Sequence, residues 1–188
     1  MRRIVPHASR TLAVVAGAML AVAALAVSTA GAATLNGAAP AVRQQPERQL
    51  RLSTGYHVFS NDDSGKCLNQ DYNSGVPHPD VLAWACVHSP NELWDVIPNG
   101  DGSFRLANEL SGGCLTQTGA DATVDPCNGS AGQAWYHVSA DGLPGYYFLN
   151  QATGDCLNQD WNGGVQHQDV LVWSPCDFTP NERWTESS

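Results

Sequence analysis

From Tyr56 to the C-terminus, the chain alternates short apolar runs with polar breaks. The apolar runs are rich in Val, Tyr, Phe and Trp, and clusters of Gly, Pro, Asn and Asp separate them. Alternation with a period of two is typical of half-buried β-strands, and the breaks are typical turn sequences. No segment keeps the period of an amphipathic helix over several turns. The pattern therefore predicts an all-β fold of short strands.

The strand candidates recur in three units that can be aligned with one another. Each unit contains Cys-Leu, then a second Cys, and closes with an acidic or amide residue two positions before a Trp: Glu92-Leu93-Trp94, Gln133-Ala134-Trp135 and Glu182-Arg183-Trp184. Each unit offers four strand candidates at a period of about 40 to 45 residues. A propeller also uses four strands per repeat, but it typically needs four or more blades. We therefore expect a β-trefoil of three four-stranded repeats.

The segment before this pattern resembles an export signal. Arg2, Arg3 and Arg10 precede an apolar run that ends in "STAGAA", which is the arrangement of a secretory signal peptide. A retained anchor would need about 20 apolar residues and is the less favoured alternative. We predict a signal peptide over residues 1–33, a flexible leader over 34–53, a folded domain over 54–188, and a secreted, extracellular protein.

All six Cys lie after the predicted signal peptide. An even number of Cys in an exported chain indicates disulfides. Their order shows three close couples, so we expect one disulfide per repeat: Cys67–Cys86, Cys114–Cys127 and Cys156–Cys176. A zinc site would need C-x-x-C pairs or His at ligand spacing, and the chain has neither. We expect no metal and no other cofactor.

The charge of the chain excludes two classes of partner. Without the predicted signal peptide, six basic residues remain against 18 acidic ones, a net charge of −12. Such a surface repels nucleic acids and anionic lipids. We therefore expect no nucleic-acid binding and no membrane insertion.

The three closing segments, each in register with a Cys-Leu and a second Cys, resemble the Q-x-W repeats of the ricin B-chain type lectin family. The resemblance covers about residues 54–188 and implies a β-trefoil, an in-repeat disulfide and a carbohydrate ligand. Residues that recur in every unit are expected to fill the shared core: Trp94, Trp135, Trp184, Leu68, Leu115 and Leu157.

A polar stretch recurs in the first and third units only, as "CLNQDYNSGVPHPDVLAWAC" and "CLNQDWNGGVQHQDVLVWSPC". In the resembling family, the aromatic residue just before the second Cys is the platform for a sugar ring. This implies that role for Trp84 and Trp173, neither of which has a counterpart in the second unit. The alternative is that both pack against a long loop. Because "WSPC" has one residue more than "WAC", we expect Trp173 to be oriented differently from Trp84.

Polar partners accompany each platform. The family's Asn before the Q-x-W segment is present, but Asn replaces the Asp that usually follows the first Cys by two residues, so the family's galactose preference is not assumed. Alternation along an extended strand places the next Asp on the same face, and an aromatic residue follows it. The expected carbohydrate-binding residues are Asn69, Asp71, Tyr72, Trp84 and Asn91 in the first unit, and Asn158, Asp160, Trp161, Trp173 and Asn181 in the third.

A His and an Asp also recur in both stretches, as His78 with Asp80 and His167 with Asp169. We interpret each as a hydrogen-bonded pair that braces the loop behind the site, with direct ligand contact or a cation site as the alternative. The expected function is a secreted glycan- or polysaccharide-binding module with two sites.

Two other functions stay open. A trefoil that binds protein, as an inhibitor or a toxin's targeting subunit, would use the same loops, and a toxin role would require a separate protein partner. A glycoside hydrolase would need two carboxylates about 5 to 9.5 Å apart, for which Asp71 with Asp80 or Asp160 with Asp169 are candidates. The chain carries two near-copies of the same set of residues, which favours multivalent binding over catalysis. We therefore expect that the protein is not an enzyme.

Overall fold

The computed structural model describes residue 52, residues 54–139 and residues 142–187, the last without its side chain. The predicted signal peptide over residues 1–33 lies outside the described residues, as does the predicted leader over 34–53 apart from Leu52. Leu52 packs against the hydrophobic core. Within the described part of the chain, no helix is long and apolar enough to cross a membrane.

The described residues form strands, with a single turn of 3-10 helix before the last strand of each third of the chain. The 3-10 turns are Pro90–Glu92, Ala131–Gln133 and Pro180–Glu182. The strands, numbered in chain order, are β1 Gly55–Asn61, β2 Cys67–Asn73, β3 Val76–Trp84, β4 Trp94–Pro98, β5 Phe104–Asn108, β6 Cys114–Thr118, β7 Asp121–Asp125, β8 Trp135–Ser139, β9 Tyr146–Asn150, β10 Cys156–Asn162, β11 Val165–Trp173 and β12 Arg183–Ser187. The all-β prediction is confirmed.

Six of these strands pair into a closed ring. The order around the ring is β1, β12, β9, β8, β5, β4 and back to β1, and every pairing is antiparallel. A closed ring leaves no sheet edge exposed to pair with another chain. The ring is therefore a barrel.

The other six strands form three hairpins, which are called here the first hairpin (β2–β3), the second hairpin (β6–β7) and the third hairpin (β10–β11). Their second strands also pair with one another, as β3–β7, β11–β7 and β11–β3. The three hairpins thus meet, and each has one neighbour on either side. This arrangement allows a residue of one hairpin to line a site on the next.

The residues that recur in all three units fill the core, as predicted. Trp94, Trp135 and Trp184 are each 0% exposed. Each indole Nε1–H donates to a backbone carbonyl, so burial leaves no indole donor unpaired. The acceptors are Leu68 O at 2.9 Å, Leu115 O at 3.0 Å and Leu157 O at 3.1 Å. These Leu side chains are also 0% exposed.

The three predicted disulfides are present, Cys67–Cys86, Cys114–Cys127 and Cys156–Cys176, and no Cys is free. They close loops with sequence separations of 19, 13 and 20 residues. By the loop-entropy estimate, a loop of about 15 residues contributes about 3 kcal/mol to the free energy of unfolding. Each disulfide joins the start of a hairpin to the segment that follows it.

One exposed carboxylate links two turns of the barrel. Asp101 accepts the Ser103 hydroxyl at 2.6 Å and the Ser103 N–H at 2.9 Å, and its other oxygen accepts Gln151 Nε2 at 2.9 Å. These bonds, the Ser103 hydroxyl first, lower the pKa of Asp101 from its ordinary 3.8 to about 2. Because the folded-state pKa lies below the unfolded value, the contribution to stability is present above pH 3.8 and is lost as the pH falls through about 2.

We therefore expect Asp101→Asn to lower the free energy of unfolding at neutral pH more than at low pH. Urea denaturation of the wild type and the variant at about pH 6 and about pH 2 measures the difference, which should shrink on acidification. A difference that is the same at both pH values would show that the carboxylate's bonds do not stabilise the fold.

Candidate functional site

The first hairpin carries a depression of about 270 Å³ on one side. It is lined by Asn69, Asp71, Tyr72, Asn73, Leu82, Trp84, Asn91 and Gln168. The five residues that the sequence predicted for the first unit are all among them. The structure thus brings these five side chains together around one space, and their contact with a sugar stays a prediction.

The register of the first hairpin explains how two residues of one strand reach the depression. Cys67 lies opposite Trp84 and Asn69 opposite Leu82, and the register shifts between Gln70 and Tyr72. Residues two apart on an extended strand point to the same face, so Asp71 follows Asn69 into the depression. The irregularity leaves three residues of β3, 78–80, opposite Asp71 alone, so the extra residues belong to β3.

Trp84 is the largest side chain that lines the depression. It is 51% exposed, whereas Trp94, ten positions further on, is completely buried. Other Trp residues of this chain are completely buried. A half-exposed position is therefore unusual here for so large an apolar side chain. Tyr72 lines the same depression and is 48% exposed. Two aromatic side chains therefore border the space.

A chain of hydrogen bonds fixes the two amides of the depression. Glu92 is buried and accepts the backbone N–H of Val87 at 2.9 Å and of His88 at 2.8 Å. Asn69 Nδ2 donates to Glu92 Oε1 over 3.4 Å. Asn91 Nδ2 in turn donates to Asn69 Oδ1 over 2.9 Å. The orientation of both amides is thereby set by the fold before any ligand arrives.

Asp71 is the carboxylate of this depression. Relative to the Q-x-W pattern, acid and amide have exchanged places: Glu92 stands where Gln is expected, and Asn69 stands where Asp is expected. The Glu92 carboxylate accepts hydrogen bonds from two backbone N–H groups, whereas Asp71 lines the depression. A carboxylate forms stronger hydrogen bonds with hydroxyl groups than a neutral amide does.

The third hairpin repeats the register of the first. Trp173 lies opposite Cys156, as Trp84 lies opposite Cys67, and it is also 51% exposed. The extra residue of "WSPC" comes after Trp173. We expected Trp173 to be oriented differently from Trp84. Neither the strand position nor the exposed fraction of the two side chains shows such a difference.

The polar partners of Trp173 also repeat. Asn181 Nδ2 donates to Asn158 Oδ1 over 3.3 Å and to the Gln159 carbonyl over 3.2 Å. The register shifts between Gln159 and Trp161, so Asp160 holds the position that Asp71 holds in the first hairpin. Trp161, at the position of Tyr72, is 51% exposed.

The second hairpin carries different residues at each of these positions. Asp125 lies opposite Cys114, where the other hairpins have Trp. Thr116 holds the position of Asn69, as its register opposite Thr123 shows. Gly132 stands where the others have Asn91 and Asn181. The second hairpin thus lacks the platform and both amides.

The recurring His and Asp residues lie apart from the depression of the first hairpin. The carbonyl of His78 accepts Gln70 Nε2 at 2.8 Å, and the carbonyl of His167 accepts Gln159 Nε2 at 2.6 Å. Their bonds therefore involve backbone atoms and hold each hairpin together. Among the described residues, no group of three or more His, Cys, Asp and Glu side chains is arranged to hold a metal ion.

The Asp of each pair has a counterpart in the second hairpin, which the sequence alignment did not show. Asp80 pairs with Thr123 and Asp169 with Leu82, and Asp121 pairs in the same way with Leu171. An Asp thus stands at the junction of hairpins in all three cases. Because an Asp recurs in all three hairpins, this position is not specific to the two predicted sites, and bracing of the loop by a His–Asp pair stays a prediction.

A recurring Gln of each hairpin, buried in the first and third and half-buried in the second, was not predicted to be a scaffold residue, because in two hairpins it lies inside the recurring "NQD". Gln70 and Gln159 are 4% and 0% exposed. The side-chain oxygen of each hairpin's Gln accepts a hydroxyl from the neighbouring third of the chain: Ser111 to Gln70 at 2.7 Å, Thr153 to Gln117 at 2.8 Å and Ser64 to Gln159 at 2.6 Å. The signal was available, since Gln occurs in all three units.

Gln168 is one of three lining residues that the sequence did not indicate, beside Asn73 and Leu82 of the first hairpin. It belongs to β11 of the third hairpin but lines the depression of the first. Its position depends on the pairing of β11 with β3. No pattern within either stretch of sequence reveals this contact.

Comparison with known proteins gives a family match. The model described as "Ricin-type beta-trefoil lectin domain-like" matches residues 46–127 and 96–173, together more than half of the chain. A probable α-galactosidase A of Aspergillus clavatus is 30% identical over 116 residues, which are 61% of this chain and 18% of that enzyme. The chain thus spans less than a fifth of this relative.

Solved structures share the fold. The designed threefold symmetric protein ThreeFoil aligns with a TM-score of 0.62 at 22% identity, over 71% of this chain and 98% of its own. A ricin B-like lectin of Macrolepiota procera in complex with lactose aligns with a TM-score of 0.60 at 14% identity, over 73% and 98%. An exo-β-1,3-galactanase of Clostridium thermocellum aligns with a TM-score of 0.61 at 19% identity, over 71% of this chain and 30% of the enzyme.

Proposed function

Since the chain belongs to the ricin-type β-trefoil lectin-like domain family, we propose that its folded part is a carbohydrate-binding module with two sugar sites. One site is the depression of the first hairpin, and the other is the corresponding face of the third hairpin. The observation that carries the proposal is the half-exposed Trp84 beside fixed amides and a carboxylate in one depression.

The chemistry of the depression suits a sugar. The flat face of an indole packs against the C–H face of a pyranose ring, and a few fixed polar groups then orient the hydroxyls. Trp84 supplies the platform, and Tyr72 borders the space beside it. Asp71 accepts hydroxyl protons with a full negative charge. Because Asn69 and Asn91 are already held in place, a ligand loses little binding energy to ordering them.

The difference between the hairpins supports a count of two. The third hairpin carries Trp173 and Asp160 at positions equivalent to Trp84 and Asp71, and Asn181 in the 3-10 turn that follows corresponds to Asn91. The second hairpin has Asp125 in place of the platform. The second hairpin therefore acts as scaffold.

We assign the chain three four-stranded repeats, each with one disulfide, and the domain boundaries 54–188. In this assignment the first repeat runs from β1 to β4, the second from β5 to β8 and the third from β9 to β12. The three disulfides fit a protein exported to an oxidising compartment. We propose accordingly that residues 1–33 are removed on secretion and that the module acts outside the cell.

Galactosides are the sugar class that we propose. A lactose-bound lectin, an exo-β-1,3-galactanase and a probable α-galactosidase are among the similar proteins. The whole enzymes' activities are not assigned to this chain. It is proposed to act without catalysis and to hold galactose-containing glycans at two points.

A column of immobilised lactose tests the proposal. We expect the purified protein to be retained and to be eluted by free lactose at millimolar concentration, because single lectin sites are weak and two together raise the avidity. A protein-binding trefoil would not be retained, and a β-galactosidase would release galactose from lactose in the eluate. Either of these results, or passage of the protein straight through the column, would contradict a galactoside-binding module.

A further inference from the structure

We infer that the two sites are inequivalent, because the first site includes a polar side chain from another hairpin, whereas the third has only a methyl group at the matching position. Gln168, on β11 of the third hairpin, is proposed to be a specificity-determining ligand contact of the first site. The inference rests on the proposed function, since it assumes a sugar in the depression. The first site binds the same sugar more tightly than the third, and Gln168 causes the difference.

The register of the hairpins places Gln168 beside the platform. Asp169 of β11 pairs with Leu82 of β3, and the strands are antiparallel. The residue before Asp169 therefore lies towards the Trp84 end of β3. Gln168 lines the depression together with Leu82 and Trp84. It is exposed, so its amide is accessible to a ligand in that space.

The third hairpin has a different residue at the matching position. Leu171 of β11 pairs with Asp121 of β7, which corresponds to the pairing of Leu82 with Asp169. The residue before Asp121 is Ala120, and its carbonyl accepts the N–H of Val172 at 2.8 Å. Ala120 thus lies next to the strand position of Trp173, where its methyl group takes the place of the Gln168 amide.

The chemical difference between the two positions is large. The Gln168 amide can donate two hydrogen bonds and accept two, whereas the Ala120 side chain can do neither. A sugar in the first site therefore has one more polar partner than a sugar in the third site. A net hydrogen bond between neutral groups corresponds to roughly a 2- to 10-fold change in affinity. We expect the first site to bind the same sugar more tightly by about this factor.

Indole NMR signals measure the two sites separately within one chain. The protein is labelled with ¹⁵N-Trp, and the Nε1–H signals of Trp84 and Trp173 are assigned from their loss in Trp84→Ala and Trp173→Ala. Lactose is titrated into the wild type and Gln168→Ala. We expect Gln168→Ala to raise the Kd reported by Trp84 by roughly 2- to 10-fold, and to leave the Kd reported by Trp173 unchanged.

A matched control lies on the same strand. Gln166→Ala also removes a Gln amide from β11, but Gln166 binds Asp63 at 2.8 Å and is not part of the depression. It should leave the Kd reported by Trp84 unchanged. An equal effect of both substitutions, or no effect of Gln168→Ala at Trp84, would overturn the inference while lactose binding stands. If neither indole signal responds to lactose in the wild type, the proposed function itself fails.

Discussion

The double substitution Trp84→Ala and Trp173→Ala should abolish retention on immobilised lactose, whereas each single substitution should only weaken it. Both platforms are removed in the double variant, and no other described hairpin carries a Trp opposite its first Cys. An aromatic platform binds a sugar through its contact area, and the polar groups that remain mainly fix orientation, so we expect them to bind too weakly for retention. With one platform left, the affinity of a single site remains but the avidity from two is lost.

The fold should survive this change. Trp84 and Trp173 are each 51% exposed, and substitutions at such surface positions usually change the free energy of unfolding by less than about 0.5 kcal/mol. Urea denaturation of the double variant serves as the control. Full lactose retention by a folded double variant would show that neither Trp is a platform.

Trp135→Ala should have the opposite effect, with severe loss of stability and no direct loss of a ligand contact. Trp135 is 0% exposed, packs in the core and donates its indole N–H to Leu115 O at 3.0 Å. Replacing a buried Trp by Ala typically costs about 3 to 5 kcal/mol of the free energy of unfolding. It also leaves the Leu115 carbonyl without this donor inside the core.

Trp135 is the informative core Trp because it belongs to the third of the chain that has no proposed site. Urea denaturation should place the variant far below the wild type in stability. The folded fraction that remains should still bind lactose with the wild-type Kd. A variant as stable as the double platform variant would contradict the assignment of Trp135 to the shared core.

The division of the Trp residues into core and surface could be predicted from the sequence. Trp94, Trp135 and Trp184 occur in every unit, and a core with three similar sectors must be filled three times. Trp84 and Trp173 occur in two units only, and both are half-exposed. The number of units in which a Trp occurs thus distinguished core Trp residues from surface Trp residues, because packing in the core constrains every unit alike.

The same reasoning was incomplete for short polar motifs. In "NQD" the Asn and Asp line the depression of the first hairpin, but the Gln between them is buried and joins neighbouring parts of the chain. Alternation along a strand sends adjacent residues to opposite faces. The three polar residues of the motif therefore have two different roles. Because the motif is repeated as a whole, repetition alone could not distinguish the role of Gln70 from that of Asn69 and Asp71.

Contacts between hairpins could not be predicted at all. Gln168 reaches the first depression only because Asp169 pairs with Leu82. That pairing joins segments more than eighty residues apart, and its register is set by how the three hairpins meet. The same register revealed that Asp121 is the counterpart of Asp80 and Asp169. The sequence predicted five of the residues that line the first depression and missed Gln168, which reaches it from another hairpin, along with Asn73 and Leu82.

This chain is proposed to hold two sugar platforms on a scaffold whose other repeated Trp residues are buried. The six Trp residues of the chain make a single measurement sufficient. In a ¹⁵N-Trp spectrum titrated with lactose, we expect the indole signals of Trp84, Trp161 and Trp173 to shift with saturating curves, and those of Trp94, Trp135 and Trp184 to stay in place. Saturating shifts at only one of the two platforms, or at none, would contradict two galactoside sites on the first and third hairpins.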